Sequence, residues 1–244
     1  MKYSIVLLML AANCASGQVP YAISDNCDCI PIQQTNFEKP VVRGTPVNLL
    51  ENSSLDGWTN ANGKPPGKGW TVSDGILHRG KKRGGDLYHE HWYRDFELQL
   101  EFKISAGGNS GIKYRVKDYG KRKLGCEFQI QDDKKSHFHK HSTGSLYDVY
   151  EPNNNKKPIK PTEWNSVKII VNEQNIEHWL NGDLVVKAKC GSSDWLQRVS
   201  KSKFKNEDYF GQNREGGIFL QDHGSEVWFR NIVVIPIRGD DYLN

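Results

Sequence analysis

Hydrophobic and polar residues alternate with period two along much of the chain. In Phe96 to Ile104, the residues Phe96, Leu98, Leu100, Phe102 and Ile104 alternate with Glu97, Gln99, Glu101 and Lys103. Successive side chains of a strand point to opposite faces, so this pattern predicts a strand with one buried and one wet face. Val167 to Val171 follows the same logic less cleanly, and Val227 to Ile235 is a further β-rich run. Between Glu177 and Val186 the pair Asn181-Gly182 separates two apolar stretches, a strong hairpin signal because both positions tolerate positive φ. Helical periodicity is poor, and only Ser193 to Phe204 suggests a short helix. Short strands punctuated by Gly, Pro and Asn predict an all-β sandwich of two antiparallel sheets rather than a parallel α/β sheet.

The ends read differently. Met1 to Gly17 has one Lys, an apolar stretch from Ile5 to Ala12 and then small residues, the pattern of a secretory signal. Cleavage after Gly17 would free Gln18. The other reading is processing before Cys14 with a lipid anchor on that Cys, although Asn13 fits a lipoprotein box loosely. The expected location is secreted or periplasmic. Residues 18–48 read as an irregular lead-in, 49–238 as one domain and 239–244 as a tail.

The remaining composition narrows the function. Seven Trp, ten Tyr and nine Phe among 244 residues supply a bulky core and argue against global disorder. A formal charge of +4 gives no reason to expect a nucleic-acid partner. No apolar run beyond the N-terminus approaches a transmembrane span. Cys27, Cys29, Cys126 and Cys190 would be free or disulfide-bonded structural residues, with the pairing open. No dinucleotide-binding glycine fingerprint follows a strand.

Three segments place polar groups on a strand face. Asn109, Gly111, Lys113 and Arg115 share one phase, as do Glu127, Gln129 and Gln131, while Phe219, Gln221 and His223 alternate with Ile218 and Leu220. Amides and imidazoles donate and accept at once, which suits hydroxyl-rich ligands better than an ordinary solvent face would require. His137, His139 and His141 would face one way on a strand and could ligate a metal, but Lys134, Lys135 and Lys140 crowd them with positive charge. The scattered Asp residues leave room for a structural calcium or another divalent metal, and no cofactor is otherwise implied.

A resemblance enters through an ordered set of short segments. These are Gly84-Gly85-Asp86-Leu87, Asp95-Phe96-Glu97-Leu98, Gly108-Asn109-Ser110-Gly111, Glu127-Phe128-Gln129-Ile130, Gly144-Ser145-Leu146-Tyr147-Asp148, Glu163-Trp164-Asn165, Ile176 to Gly182, Ser202-Lys203-Phe204, Leu220 to Gly224 and Val227 to Ile232. Together, from about Leu49 to Ile237, they resemble the 3-keto-disaccharide hydrolase family. The resemblance implies a concanavalin A-like jelly roll acting on 3-keto-glucosides or other oxidised glycosides, by 1,2-elimination or net hydrolysis.

Jelly-roll glucanases usually carry Glu-x-Asp-x-Glu on one strand, so that two carboxylates flank the bond to be cleaved. If the strands correspond, this chain has Glu127-x-Gln129-x-Gln131, and an amide cannot attack an anomeric carbon. A ketone at C3 acidifies the C2 hydrogen, so one base can start an elimination. On that reading Glu127 or His223 is the base, Lys113 or Arg115 stabilises the enolate oxygen, and Asp132 or His178 orients groups or assists the leaving oxygen. Asn109, Gln129, Gln221 and Tyr147 would bind hydroxyls. Simpler roles exist for several: Glu127 could merely pair with Lys113 or Arg115, and His178 could be a satisfied structural residue. A non-catalytic carbohydrate-binding module, with Trp70, Trp92, Trp195 or Trp228 as platforms, and a conventional glycoside hydrolase are the alternatives.

Overall fold

The computed structural model describes residues 21–23, 29–31, 41–120, 122–135 and 139–238. The chain divides into two units, Met1–Pro40 and Val41–Asn244. In the first, β1 (Tyr21–Ile23) pairs antiparallel with β2 (Cys29–Pro31). Residues 1–17, with the expected signal and Cys14, lie outside the described residues, as do Cys27, the side chain of Cys29 and the tail 239–244.

The second unit holds β3 (Val42–Arg43), β4 (Val47–Asn48), β5 (Trp58–Thr59), β6 (Trp70–Ser73), β7 (Ile76–Arg79), β8 (Leu87–Tyr93), β9 (Phe96–Ile104), β10 (Asn109–Asp118), β11 (Lys123–Gln131), β12 (Asn165–Asn172), β13 (Asn175–Leu180), β14 (Asp183–Lys189), α1 (Ser193–Val199), β15 (Gly216–Leu220) and β16 (Val227–Arg238). The smaller sheet runs β11-β10-β15-β8-β5, and the larger runs β14-β13-β12-β9-β16-β7-β6, with β3 and β4 also pairing to β16. The fold is the concanavalin A-like jelly roll, nearly all β. The lead-in expected to be irregular carries four short strands, because backbone pairing to β16 and between β1 and β2 needs no side-chain periodicity.

The alternation seen in the sequence builds the core. Phe96, Leu98, Leu100, Phe102 and Ile104 of β9 are buried, as are Ile112 and Tyr114 of β10 and Phe128 and Ile130 of β11. Truncating one such Phe to Ala typically costs about 3–5 kcal/mol. Asn181 (φ 51°) and Gly182 (φ 87°) form the turn between β13 and β14, as their sequence predicts. The helix is shorter than expected: the Ser192 hydroxyl accepts from the Trp195 amide at its start, and it ends at Val199. Cys126 and Cys190 are buried free thiols. Among the described residues no helix is long and apolar enough to cross a membrane.

Candidate active site

The outward phase of the smaller sheet assembles the site. On β10, Ser110, Ile112 and Tyr114 are buried in the core, so Asn109, Gly111 and Lys113 face outward. Antiparallel register sets Gly111 opposite Gln129 and Lys113 opposite Glu127 of β11. On the other side of β10, the Gln221 amide donates to the Gly111 carbonyl oxygen at 2.9 Å, which brings the end of β15 alongside.

Glu127 is the centre of this group. Its carboxylate is buried and lies 3.6 Å from Lys113 Nζ. With the Gln221 amide oriented to satisfy both neighbours, its nitrogen donates to Glu127 Oε1 at 3.0 Å and its oxygen accepts from Lys113 Nζ at 3.2 Å. Gly111 makes this convergence fit, because a Cβ there would collide with the end of the Gln221 amide and stand 3.0 Å from Glu127 Oε1. Burial pushes the Glu127 carboxyl above its ordinary value, and the charges of Lys113, Lys203 and His223 pull back without cancelling it.

The flanks are equally ordered. Gln129 Nε2 donates to Asn109 Oδ1 at 2.7 Å. The Tyr147 amide donates to the Glu127 carbonyl oxygen at 3.0 Å, so the Tyr147 backbone runs alongside β11 at Glu127. Its ring is stacked by His141 at 4.7 Å and capped by Lys203 Nζ at 4.0 Å. Asp148 fastens both neighbours, accepting from His141 Nε2 at 3.0 Å and from the Lys203 amide at 2.6 Å. Burial pushes the Tyr147 phenol up, aided by the negative charges of Glu127 and Asp148.

His223 is exposed on the loop after β15. That loop is pinned by Asp222, whose carboxylate accepts from the Gly84, Gly85 and Gly224 amides and pairs with Arg79. Burial alone would push the Asp222 carboxyl up, but the hydrogen bonds from Gly224, Arg79 and Gly84 outweigh it and hold the group low.

The structure therefore brings together Glu127, Lys113, Gln221, Asn109, Gln129 and Tyr147, with His223 close enough for its charge to act on Glu127. Three expected residues are placed elsewhere. Arg115 does not share the face of Lys113: the pairing of β10 shifts between Tyr114 and Lys117, and Arg115 has φ 50°. This bulge turns its guanidinium to the Arg94 and Glu173 carbonyl oxygens and to Asp95. Asp132 lies just past the end of β11, where it accepts from the Gly107 and Lys134 amides and closes a loop. His178 is wholly buried between the sheets, its ring nitrogens engaged by Tyr114 and the Gly144 carbonyl.

Lys203 is the residue that sequence reasoning missed. Its segment, Ser202-Lys203-Phe204, follows α1 in irregular chain without strand periodicity. Of the three spaced His residues, His141 is engaged by Asp148 and Tyr147, while His137 and the side chain of His139 lie outside the described residues. Among the described residues, no group of three or more His, Cys, Asp or Glu is placed to hold a metal ion. Trp70 and Trp195 are core residues, and Trp228 is covered by His78 and Lys103.

A jelly roll whose outward polar face, among the described residues, gathers amides around one buried carboxylate fits the carbohydrate-active class to which its relatives point. The chain belongs to the 3-keto-alpha-glucoside-1,2-lyase-like domain family, whose model matches residues 45–235. It is 30% identical over 240 residues to the 3-keto-disaccharide hydrolase of Bacteroides thetaiotaomicron, covering 83% of this chain and 82% of that protein. Among solved structures, one from Parabacteroides distasonis described as a candidate glycosyl hydrolase is 31% identical with a TM-score of 0.70, covering 78% of this chain and 92% of that one. A second from the same organism, with the same description, is 25% identical with a TM-score of 0.61, covering 78% and 98%.

Proposed function

We propose that the protein cleaves 3-keto-glucosides by removing the C2 proton and expelling the C1 substituent. One observation carries this reading: among the described residues a single buried carboxylate, Glu127, faces the site with an ammonium and an amide on it, while the next outward position of the strand is Gln129. Asp132 and Asp148, the nearby acids, are both engaged in holding loops. A double displacement needs two opposed acids, whereas an elimination alpha to a ketone needs one base.

In this mechanism Glu127 takes the proton from C2. The raised affinity of its carboxyl for a proton makes it a stronger base than an exposed glutamate. The electron pair moves onto the C3 oxygen, where Lys113 stabilises the enolate. Reformation of the ketone then makes the C1–C2 double bond and breaks the bond from C1 to the leaving oxygen. Addition of water to that product would give net hydrolysis. Asn109, Gln129, Gln221 and the Tyr147 hydroxyl supply donors and acceptors for the sugar hydroxyls. His223, at the rim, is the second candidate for the base.

The leader read in residues 1–17 supports a secreted or periplasmic enzyme, cut after Gly17 or held by a lipid on Cys14. N-terminal mass analysis of the mature protein distinguishes the two.

Parallel incubation with a glucoside and its 3-keto derivative tests the function. Turnover of the oxidised sugar alone is expected. Turnover of the plain glucoside, or binding of the oxidised sugar without turnover, overturns the reading.

A further inference from the structure

The leaving group at C1 needs a proton, and the two residues that the sequence suggested for it, Asp132 and His178, are committed elsewhere. An acid distinct from the base would serve the oxygen on C1 while the base serves C2, and it would stand close to that base. Lys113 is already hydrogen-bonded to Gln221 and paired with Glu127. Lys203 is differently held. Its Nζ lies 4.0 Å over the Tyr147 ring and 5.0 Å over Phe204, and among the described residues no carboxylate pairs with it. The Lys203 charge acts on the Glu127 carboxyl, and among the described residues no ion pair joins the two.

Resting on the elimination reading above, we propose that Lys203 is the catalytic acid that protonates the departing C1 oxygen, and that Tyr147 is the positioning residue that aims it. His141 stacks on the Tyr147 ring and the Lys203 ammonium lies over it, so the ring is occupied and this tyrosine serves as a mount rather than a stacking platform for sugar. Packing against the two rings lowers the proton affinity of the Lys203 ammonium through burial, with Lys113 acting in the same direction and Glu127 and Asp148 opposing. The step balances. Glu127 gains the C2 proton, the C2–H electron pair ends in the C1–C2 double bond, and the C1–O pair leaves with the oxygen. That oxygen takes one proton from Lys203, and the neutral amine and the protonated carboxyl then exchange with water.

A leaving-group series separates this role from simple electrostatics. The substrates are methyl 3-keto-glucoside, whose alkoxide needs an acid, and 4-nitrophenyl 3-keto-glucoside, whose phenolate does not. Lys203→Met should lose about 100-fold or more in kcat/KM on the methyl substrate and less than about fivefold on the nitrophenyl one. Lys203→Arg should behave the same way, because guanidinium keeps the charge but does not release its proton. Tyr147→Leu should reproduce the pattern in weaker form. Deuterium incorporation at C2 of the methyl substrate in D2O reads the base separately, and both Lys203 variants should retain it. Equal losses on the two substrates, no loss on either, or loss of C2 exchange in the Lys203 variants would overturn the assignment of Lys203. Failure of the wild-type protein to exchange C2 or to cleave either substrate would overturn the elimination reading, and the role of Lys203 with it.

Discussion

The Tyr114 hydroxyl donates to His178 Nε2 at 2.7 Å, joining β10 of the smaller sheet to β13 of the larger through the core. The direction follows from the other ring nitrogen. His178 Nδ1 is 3.0 Å from the Gly144 carbonyl oxygen, which can only accept, so Nδ1 carries the proton and Nε2 accepts. Burial lowers the proton affinity of this ring to a pKa of about 4. The unfolded chain therefore binds a proton that the folded chain refuses between the ordinary 6.5 and about 4, and stability falls as pH drops through that window. Thermal unfolding from pH 7 to pH 4 should show the loss. His178→Gln should be less stable at pH 7 by about 1–3 kcal/mol, the cost of buried groups left unpaired, and should decline less on acidification.

Asp222 should be indispensable to the fold and to the loop it pins. It is buried with Arg79 and accepts from three backbone amides around the site rim. Asp222→Ala leaves the Arg79 charge buried without its partner, which typically costs about 3–5 kcal/mol. Chemical denaturation should show that loss, and activity should fall with it because Gln221 and His223 flank the anchor. Unchanged stability would contradict the pairing.

Gly111→Ala should separate activity from stability. The atoms nearest to the added methyl are the ends of the Gln221 and Glu127 side chains, which can swing aside at little cost to the fold. The swing removes the amide and the carboxylate from their shared position. Turnover of the 3-keto-glucoside should fall at least about tenfold, in line with the cost of misplacing a reacting group, while the melting temperature stays nearly unchanged. A large loss of stability with normal turnover of the folded fraction would contradict this.

Arg115→Lys should do the opposite. Its guanidinium holds the Arg94 and Glu173 carbonyl oxygens and Asp95 together, and a lysine cannot reach all three in that geometry. Stability should fall by about 1–3 kcal/mol, with kcat of the folded enzyme largely retained.

The contrast between Lys113 and Arg115 shows how far the sequence could be read. The strict alternation of β9, the Asn181-Gly182 turn and the outward phase of Asn109, Lys113, Glu127 and Gln129 all follow from period two, which backbone geometry imposes. The bulge after Tyr114 breaks that period, and no residue pattern in the segment marks it, so a period-two reading puts Arg115 on the wrong face. His178 shares the inward phase of Ile176 and Leu180, but a polar residue in that phase reads equally as ligand or as satisfied core. Lys203 has no period to follow. Its place depends on Asp148 capturing its amide across 55 residues of sequence, a contact that only folding creates.

Glu127 carries the central claim, and its charge has a cost that can be measured. Its raised pKa means that the folded protein binds this proton more tightly than the unfolded one, whose carboxyl titrates near the ordinary 4.5. The buried charge thus weakens the fold at neutral pH, and acidification through the raised pKa relieves it. Glu127→Gln should melt higher than the wild type at pH 7, with the gap closing at lower pH.

The most direct measurement is deuterium exchange at C2 of a 3-keto-glucoside in D2O, followed by NMR with wild-type protein and Glu127→Gln. The wild type should exchange the proton, with an acid limb above pH 4.5, and the variant should be slower by about 100-fold or more while remaining folded. Exchange by Glu127→Gln at the wild-type rate would remove Glu127 as the base and contradict the mechanism.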